Sequence, residues 1–185
     1  MSYRLVEWSP DLDLSDFYQE AERRGFENNY NQKVMFDCFK NENNWNAWIL
    51  YENETAIGSV AAHSFDDVMG TGSYRVLARC CVLKGARPNG GLMTAQIAIG
   101  QHQNVTDQLF LPKCIEWAGK NIFATSNESK VASQRFVHRT YFPTLEKIGV
   151  VEKVKNVFYR GTEQTVWRIH VEEFYKNLNR YPRWI

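Results

Sequence analysis

Apolar residues follow helical spacing over the first forty positions. Four of them recur three or four positions apart, namely Leu14, Phe17, Tyr18 and Ala21. They predict an amphipathic helix over about 13–24 that Asp13 or Ser15 caps and Gly25 ends. A second helix is predicted over about 32–40, with Asn-rich polar sequence on both sides of it.

Between positions 45 and 83 the pattern becomes that of β-strands. Apolar runs at 48–51 and 56–63 enclose a polar turn at 52–55, which is typical of a hairpin. A loop that contains two aspartates and two glycines is predicted over 66–72, and the apolar run 74–83 predicts a central strand. Three consecutive antiparallel strands are therefore expected.

Helices and strands alternate in the second half of the chain. The glycine-rich segment 85–91 leads into 92–103, where neither periodicity is strong and the structure stays open. A helix is predicted from Asn104 or Thr106 through Trp117, and Pro112 would kink or restart it, because proline costs about 3 kcal/mol inside a helix. The remaining predictions are a strand at 121–125, a helix at 131–148, strands at 150–160 and 163–170, and an aromatic tail at 171–185 that packs back on the domain.

Composition places these elements in one globular domain over 1–185. Of the 185 residues 44% are hydrophobic, which suffices for one substantial core. The net charge is +1, with 22 basic and 21 acidic residues, so no overall field directs the protein to nucleic acid or anionic lipid. Without an apolar leader or a membrane-length apolar run, a cytoplasmic protein is expected. The cysteines at 38, 80, 81 and 114 lack Cys-x-x-Cys spacing, which predicts reduced thiols and no metal site.

The segment after the central strand carries the most specific motif. Residues 82–92 read V-L-K-G-A-R-P-N-G-G-L, where glycines let the backbone approach an anion and Arg87 adds a permanent positive charge. Taken alone, Arg-Pro-Asn-Gly-Gly is also a common turn sequence. Ser126-Asn127 follows the next predicted strand, and L-E-K-I-G-V stands at 145–150. Together with the order of elements, these motifs resemble the GNAT acyltransferase superfamily over nearly the whole chain.

This resemblance implies an α+β fold with a mixed, mostly antiparallel central sheet flanked by helices. It implies acetyl-CoA as co-substrate, with its pyrophosphate on Arg87, Asn89, Gly90, Gly91 and Leu92. It also implies that the edge formed by Cys81, Val82 and Leu83 polarises the thioester, and that Asn127 adjoins the cofactor. The implied reaction moves an acetyl or similar acyl group from acyl-CoA to a primary amine on a small molecule or peptide.

The sequence identifies the catalytic acid and base less clearly than the cofactor motif. The family often has a tyrosine four residues before the glycine that ends the last long helix, and this chain has Leu145 there. Tyr141, one turn earlier, is predicted to protonate the leaving sulfur, with packing beside Phe142 as the alternative. The central strand carries no glutamate, so the base stays open among His63, Asp66, Asp67 and His138.

Two other functions stay open. A protein without these acid and base groups would bind an acyl-CoA or another ligand without turnover. Action on nucleic acid is suggested by basic residues near Tyr74 and on the last long helix, namely Arg75, Arg79, Lys84, Arg87, Lys130, Arg135 and Arg139. A homodimer through the aromatic tail also stays open.

Overall fold

The computed structural model describes residues 3–23, 44–83, 105–130 and 132–178. The strands are β1 (Tyr3–Glu7), β2 (Trp45–Glu52), β3 (Thr55–Ser64), β4 (Tyr74–Val82), β5 (Ile122–Ser126), β6 (Val151–Tyr159) and β7 (Thr162–Ile169). The shorter helices are α1 (Ser15–Arg23), α2 (Asp66–Met69) and α5 (Val171–Leu178). Helix α3 combines a π-helical turn, Thr106–Phe110, with Leu111–Ala118, and α4 runs through Ala132–Phe136, the π-helical Val137–Tyr141 and Phe142–Lys147.

The seven strands form one mixed sheet in the order β1-β2-β3-β4-β5-β7-β6. Every neighbouring pair is antiparallel except β4 and β5, which are parallel. Short turns suffice for the hairpins β2–β3 and β6–β7, whereas the parallel pair requires the crossover that contains α3. The fold is thus the mixed, mostly antiparallel α+β architecture that the sequence predicted.

The sheet is covered on both faces. Along β3, Val60 and Ala62 pack into the large core, which also receives α3, α4 and α5, while Ala61 packs with Leu14 before α1. Because successive strand residues point to opposite faces, α1 lies on the face opposite α3 and α4. The large core is held by Phe110, Leu111, Tyr141, Phe142 and Phe174, all at most 2% exposed.

The predicted loop at 66–72 was wrong in its first part, which forms helix α2. Phe65, 2% exposed, anchors the segment in the core, and the N–H groups of Val68 and Met69 donate to its carbonyl. The predicted tail begins with helix α5, whose Phe174 is fully buried. The predicted helix at 32–40, the segment 85–103 and the end of the tail at 179–185 lie outside the described residues. No helix in the described ranges is long and apolar enough to span a membrane.

Both long helices contain a π-helical turn directly before a proline. In α3 the N–H of Leu111 donates to the carbonyl of Thr106, and Pro112 then stands in the first turn of the α-helical part. In α4 the N–H of Phe142 donates to Val137, and Pro143 follows. Because a helix restarts most easily with proline in its first turn, Pro112 restarts α3 and does not end it.

Gly58 on β3 provides a test of the tight packing against β4. A Cβ there would lie 2.7 Å from the carbonyl oxygen of Cys81 and 3.3 Å from Phe110. We expect Gly58→Ala to destabilise the fold by about 1 to 3 kcal/mol, because backbone must move to admit a methyl group. Urea unfolding measures this loss, and an unfolding free energy equal to that of wild type would contradict the expectation.

Candidate active site at the split between β4 and β5

The parallel strands β4 and β5 are paired only where they begin. Their ladder consists of Tyr74 with Ile122 and Arg75 with Phe123. β4 then follows β3 as far as the pair of Val82 with Gly58, while β5 follows β7 to Ser126. The sheet therefore splits toward the carboxyl ends of β4 and β5, which is where α/β sheets generally bind ligands.

Two bulges in β4 lie at the start of this split. The register against β3 shifts between Ser59 and Ala61 and again between Ala61 and His63. Leu77 and Arg79 have positive φ angles of 55° and 52°. A residue other than glycine costs about 1 to 2 kcal/mol in this conformation, so the strain marks a candidate functional region. A bulge also bends its strand, which turns β4 away from β5.

The predicted thioester edge lies at the end of β4. Cys81, Val82 and Leu83 are all buried, and Cys81 and Leu83 pack against α1. The Leu83 N–H donates to the carbonyl of Ile57 on β3, at 2.8 Å. Because backbone groups alternate in direction along a strand, the N–H of Val82 points away from β3, toward the split. Within this edge, Val82 is therefore the residue whose N–H faces the side of the split.

Of the other predicted cofactor residues, the structure describes Asn127. Asn127 directly follows β5, and its side-chain amide donates to the hydroxyl of Thr162 at 3.5 Å. It thus faces the β6–β7 turn at the same end of the sheet. Arg87, Asn89, Gly90, Gly91 and Leu92 lie outside the described residues, and their predicted role stays a prediction.

Tyr141 is fully buried and donates its hydroxyl proton to Asp107. The O–O distance is 2.8 Å, and neither residue is exposed. Each stands in the π-helical turn of its helix, so the two irregular turns meet at this hydrogen bond. Burial, and then the charge of Asp107, raise the pKa of Tyr141 well above 10. The sequence predicted Tyr141 as an acid but not this partner, which is 34 residues away.

Leu145 occupies the usual tyrosine position and is an ordinary core residue. It is 1% exposed and packs in the large core with Phe142 and Trp167. Among the described residues, Tyr141 is the phenol carried by α4.

A second polar group lies at the carboxyl end of β5. The indole N–H of Trp167 donates to Ser126 Oγ at 2.8 Å, and the same oxygen lies 3.0 Å from His138 Nδ1 on α4. Ser126 is 5% exposed. His138, one of the candidate bases, is thus positioned by a nearly buried hydroxyl at the end of the split.

The other candidate bases have structural hydrogen bonds or lie on the surface. The His63 ring is 2% exposed, with Nδ1 2.7 Å from the carbonyl of Ser64 and Nε2 3.3 Å from Arg75. Burial, then the charge of Arg75 and those of Arg160 and Arg79, lower the pKa of His63 from 6.5 to about 3. Asp66 accepts the N–H of Ser73 at 3.1 Å.

Basic residues converge beside His63 on the face that α1 covers. Arg75 donates to Thr125 at 2.9 Å, and its guanidinium lies 5.5 Å from the ring centre of Tyr159. Arg160 lies at the same distance from that ring and donates to its hydroxyl at 3.1 Å. The residues Thr125, Tyr159 and Arg160 were missed by sequence reasoning, because only folding of the β6–β7 hairpin brings positions 159 and 160 to β4.

The basic residues on and before α4 make local contacts. Arg139 makes an ion pair with Glu128 at 2.6 Å, and Arg135 donates to the carbonyl of Lys130. Within the described ranges, no group of three His, Cys, Asp or Glu side chains could hold a metal ion.

Comparison with solved structures reveals the fold family. No family model matches the sequence, and no curated protein matches it. Structural matches include a protein assigned to the GNAT family of acetyltransferases from Desulfovibrio desulfuricans, at 14% identity and a TM-score of 0.58 over 92% of this chain and 99% of that one. The chain therefore has the GNAT fold, as its motifs predicted.

Two further matches were solved with CoA or a CoA conjugate. Naa50 from Arabidopsis thaliana, in complex with a bisubstrate analogue, matches at 16% identity and a TM-score of 0.52, over 90% of this chain and 97% of that one. Spermidine N-acetyltransferase from Vibrio cholerae, in complex with CoA and spermine, matches at 9% identity and a TM-score of 0.52, over 92% and 97%. The second of these neighbours is named as an N-acetyltransferase.

The hydrogen bond between Tyr141 and Asp107 makes a testable contribution to stability. Tyr141→Phe keeps the ring but deprives a buried carboxyl group of a donor, so we expect a loss of about 1 to 3 kcal/mol in unfolding free energy. Tyr51→Phe is the control, because this ring is half-buried under Arg4 at 4.7 Å. An effect of Tyr141→Phe no larger than that of the control in urea unfolding would show that the bond contributes nothing.

His63 makes stability depend on pH. The unfolded histidine takes a proton near pH 6.5 but the folded one only near 3, so protonation favours unfolding between these values. The free energy of unfolding that depends on a neutral His63 is fully present above pH 6.5, and it is lost as the pH falls from 6.5 toward 3. We expect wild type to lose on the order of 2 to 3 kcal/mol more than His63→Gln between pH 7 and pH 4. Parallel stability curves for the two proteins would contradict the shifted pKa.

Proposed function

Because the chain has the GNAT fold, we propose that it is an N-acyltransferase, moving an acetyl or similar acyl group from acyl-CoA to a primary amine. The observation that carries the proposal is the split between β4 and β5, since the motif at 82–92 begins at the last residue of β4. Glycines and an arginine after a strand suit a pyrophosphate. Structural neighbours that bind CoA, with an amine or a peptide, support the same assignment.

Acyl-CoA supplies an activated thioester, and the chain binds and orients it. Arg87, Asn89, Gly90, Gly91 and Leu92 would hold the pyrophosphate. The backbone of the edge formed by Cys81, Val82 and Leu83 would polarise the thioester carbonyl, as a backbone N–H stabilises a developing oxyanion best when it is already in place. The split between the strands fits this arrangement, because it leaves the inner edge of β4 without a β5 partner beyond Arg75.

The chain is proposed to transfer the acyl group directly to the amine. Burial raises the pKa of the Cys80 thiol far above its usual range and that of Cys114 to about 12, so neither is a thiolate nucleophile at neutral pH. Direct attack by the amine forms the C–N bond while the C–S bond breaks. The amine first loses its proton, which costs about 4 to 5 kcal/mol at pH 7 for an alkylamine.

His138 is the best placed of the candidate bases. It adjoins the carboxyl end of β5 through Ser126, whereas the low pKa of His63 makes that imidazole a poor proton acceptor. Tyr141 stays the predicted acid for the leaving sulfur. Its hydroxyl would have to exchange its hydrogen bond to Asp107 for one to the sulfur.

The proposal is tested by calorimetry and by release of CoA. We expect CoA to bind wild type, Gly90→Trp to abolish binding by filling the loop, and Arg87→Ala to weaken it by about 1.5 to 3 kcal/mol. Arg4→Ala is the matched control, because this arginine pairs with exposed Glu54 on the far edge of the sheet. Acetyl-CoA should then release CoA when mixed amines are added.

The possible results distinguish the open functions. Equal CoA affinity of wild type and Gly90→Trp would show that the motif at 82–92 does not bind the pyrophosphate. CoA binding without release of CoA from acetyl-CoA, over a broad amine panel, would favour a ligand-binding protein without turnover. A salt-dependent shift with mixed DNA or RNA, and no CoA binding, would favour action on nucleic acid.

A further inference from the structure

Three side chains near the carboxyl end of β5 are joined by hydrogen bonds. The indole N–H of Trp167 donates to Ser126 Oγ at 2.8 Å, and the same oxygen lies 3.0 Å from His138 Nδ1. Trp167 and Ser126 are 3% and 5% exposed, whereas His138 is half-buried. The Trp167 ring also stacks on Phe142 of α4, the helix that carries His138, with ring centres 5.3 Å apart. Packing therefore holds the three groups in one arrangement.

Ser126 lies on the part of β5 that borders the split. The ladder between β4 and β5 ends at the pair of Arg75 with Phe123, three residues before Ser126. From there to Ser126, β5 continues along β7, where Ser126 is paired with Thr165. A ligand that binds between the carboxyl ends of β4 and β5 therefore lies beside the end of β5 that carries Ser126.

The donor groups decide the direction of the hydrogen bond between Ser126 and His138. An indole N–H can only donate, so Ser126 Oγ accepts from Trp167. The hydroxyl keeps one proton to donate, and within the described ranges the acceptor that it contacts is His138 Nδ1. A buried hydroxyl proton without an acceptor is unfavourable. Ser126 therefore donates to Nδ1, and the neutral ring of His138 carries its own proton on Nε2.

Both signs of charge lie near the ring of His138. Glu128, which follows β5, makes an ion pair with Arg139 of α4 at 2.6 Å. The pKa of Glu128 is lowered chiefly by its hydrogen bond from Arg139, and then by charges that include those of His138 and Arg135. A positive ring at position 138 is thus near a carboxylate as well as two arginines.

We propose that Ser126 relays the proton of the attacking amine to His138. The ammonium group gives a proton to the second lone pair of Ser126 Oγ, while the hydroxyl gives its own proton to Nδ1. One N–H and one O–H bond break as one O–H and one N–H bond form, so the amine becomes a neutral nucleophile and His138 an imidazolium. Solvent at the half-buried ring takes up the proton and restores the starting tautomer. The inference rests on the proposed N-acyltransferase function and adds a catalytic residue to it.

The position of the ring proton tests this relay without turnover. Nitrogen NMR resonances of the His138 imidazole, assigned by their loss in His138→Gln, distinguish a ring protonated at Nε2 from one protonated at Nδ1. We expect the Nε2–H tautomer in wild type and a mixture of both in Ser126→Ala, which has no hydroxyl to donate. An Nδ1–H tautomer in wild type would mean that Ser126 accepts from the ring, and the relay would be wrong.

Turnover tests the relay itself. Acetyl-CoA is assayed with spermidine, ethanolamine and benzylamine, and the best of these amines is used for kinetics. Ser126→Ala should lower kcat by about 10-fold or more without a change in KM for acetyl-CoA, because the amine loses its path to the base. His138→Gln should have a similar effect. The double variant should be no slower than either single variant, because the two residues act as a unit.

Two further serine variants control for the loss of a buried hydroxyl. Ser126→Thr keeps a hydroxyl at the same position and should retain most of the activity. Ser73→Ala is the matched control, because Ser73 is also buried and donates to the carbonyl of Gly70, before β4 at the opposite end of the sheet. It should keep the kcat of wild type. Thermal unfolding verifies the fold of each variant, and the tautomer in wild type decides the matter if Ser126→Ala does not fold.

The pH profile separates a relay from a structural role. In wild type, kcat should rise with pH and level off once His138 is neutral. In Ser126→Ala and His138→Gln it should keep rising toward the pKa of the free alkylamine, about 10.4. If Ser126→Ala levels off as wild type does, or has the kcat of wild type, the relay alone is wrong. If wild type has the Nε2–H tautomer but acetylates no amine, the proposed function fails and the relay with it, while the order of the hydrogen bonds stands.

Discussion

The architecture of the candidate site depends on how β4 is paired. β4 keeps its partner β3 along its full length, and to do so it passes through two bulges at Leu77 and Arg79. A bulge bends the strand and increases its twist, so β4 cannot also stay parallel to β5. The ladder to β5 ends at Arg75. The strain in β4 and the opening in the sheet are thus two aspects of one constraint.

Different polar groups pack near this opening on the two faces of the sheet. On one face, π-helical turns in α3 and α4 bring Asp107 and Tyr141 together in a buried hydrogen bond. On the other, the turn between β6 and β7 places Arg160 beside the ring of Tyr159, which Arg75 also contacts. Asp107, Tyr141 and His63 are buried, and buried polar groups are tolerated only when they are hydrogen-bonded, which explains the close partner that each of them has.

Much of the architecture was predictable from the sequence. The hairpin β2–β3, the central strand β4, and the strands β6 and β7 around Gly161 lie where apolar runs and turn residues predicted them. The exceptions were local: α2 forms in a predicted loop because Phe65 is anchored in the core, and α4 contains a π-helical turn before Pro143. The spacing of apolar residues predicts which side chains are buried. It does not predict where a helical turn or a strand contains one extra residue.

The order of most elements, the fold class and the motif at 82–92 follow from the sequence alone, because they depend on neighbouring residues and on short periodic patterns. The partners of the individual side chains are known only from the folded structure. Asp107 and Tyr141 are 34 positions apart, and Arg75 meets Thr125 across 50 positions. Such contacts depend on strand order and on the direction of each bulge and turn, and one residue of difference in register would point the same side chains to the opposite face.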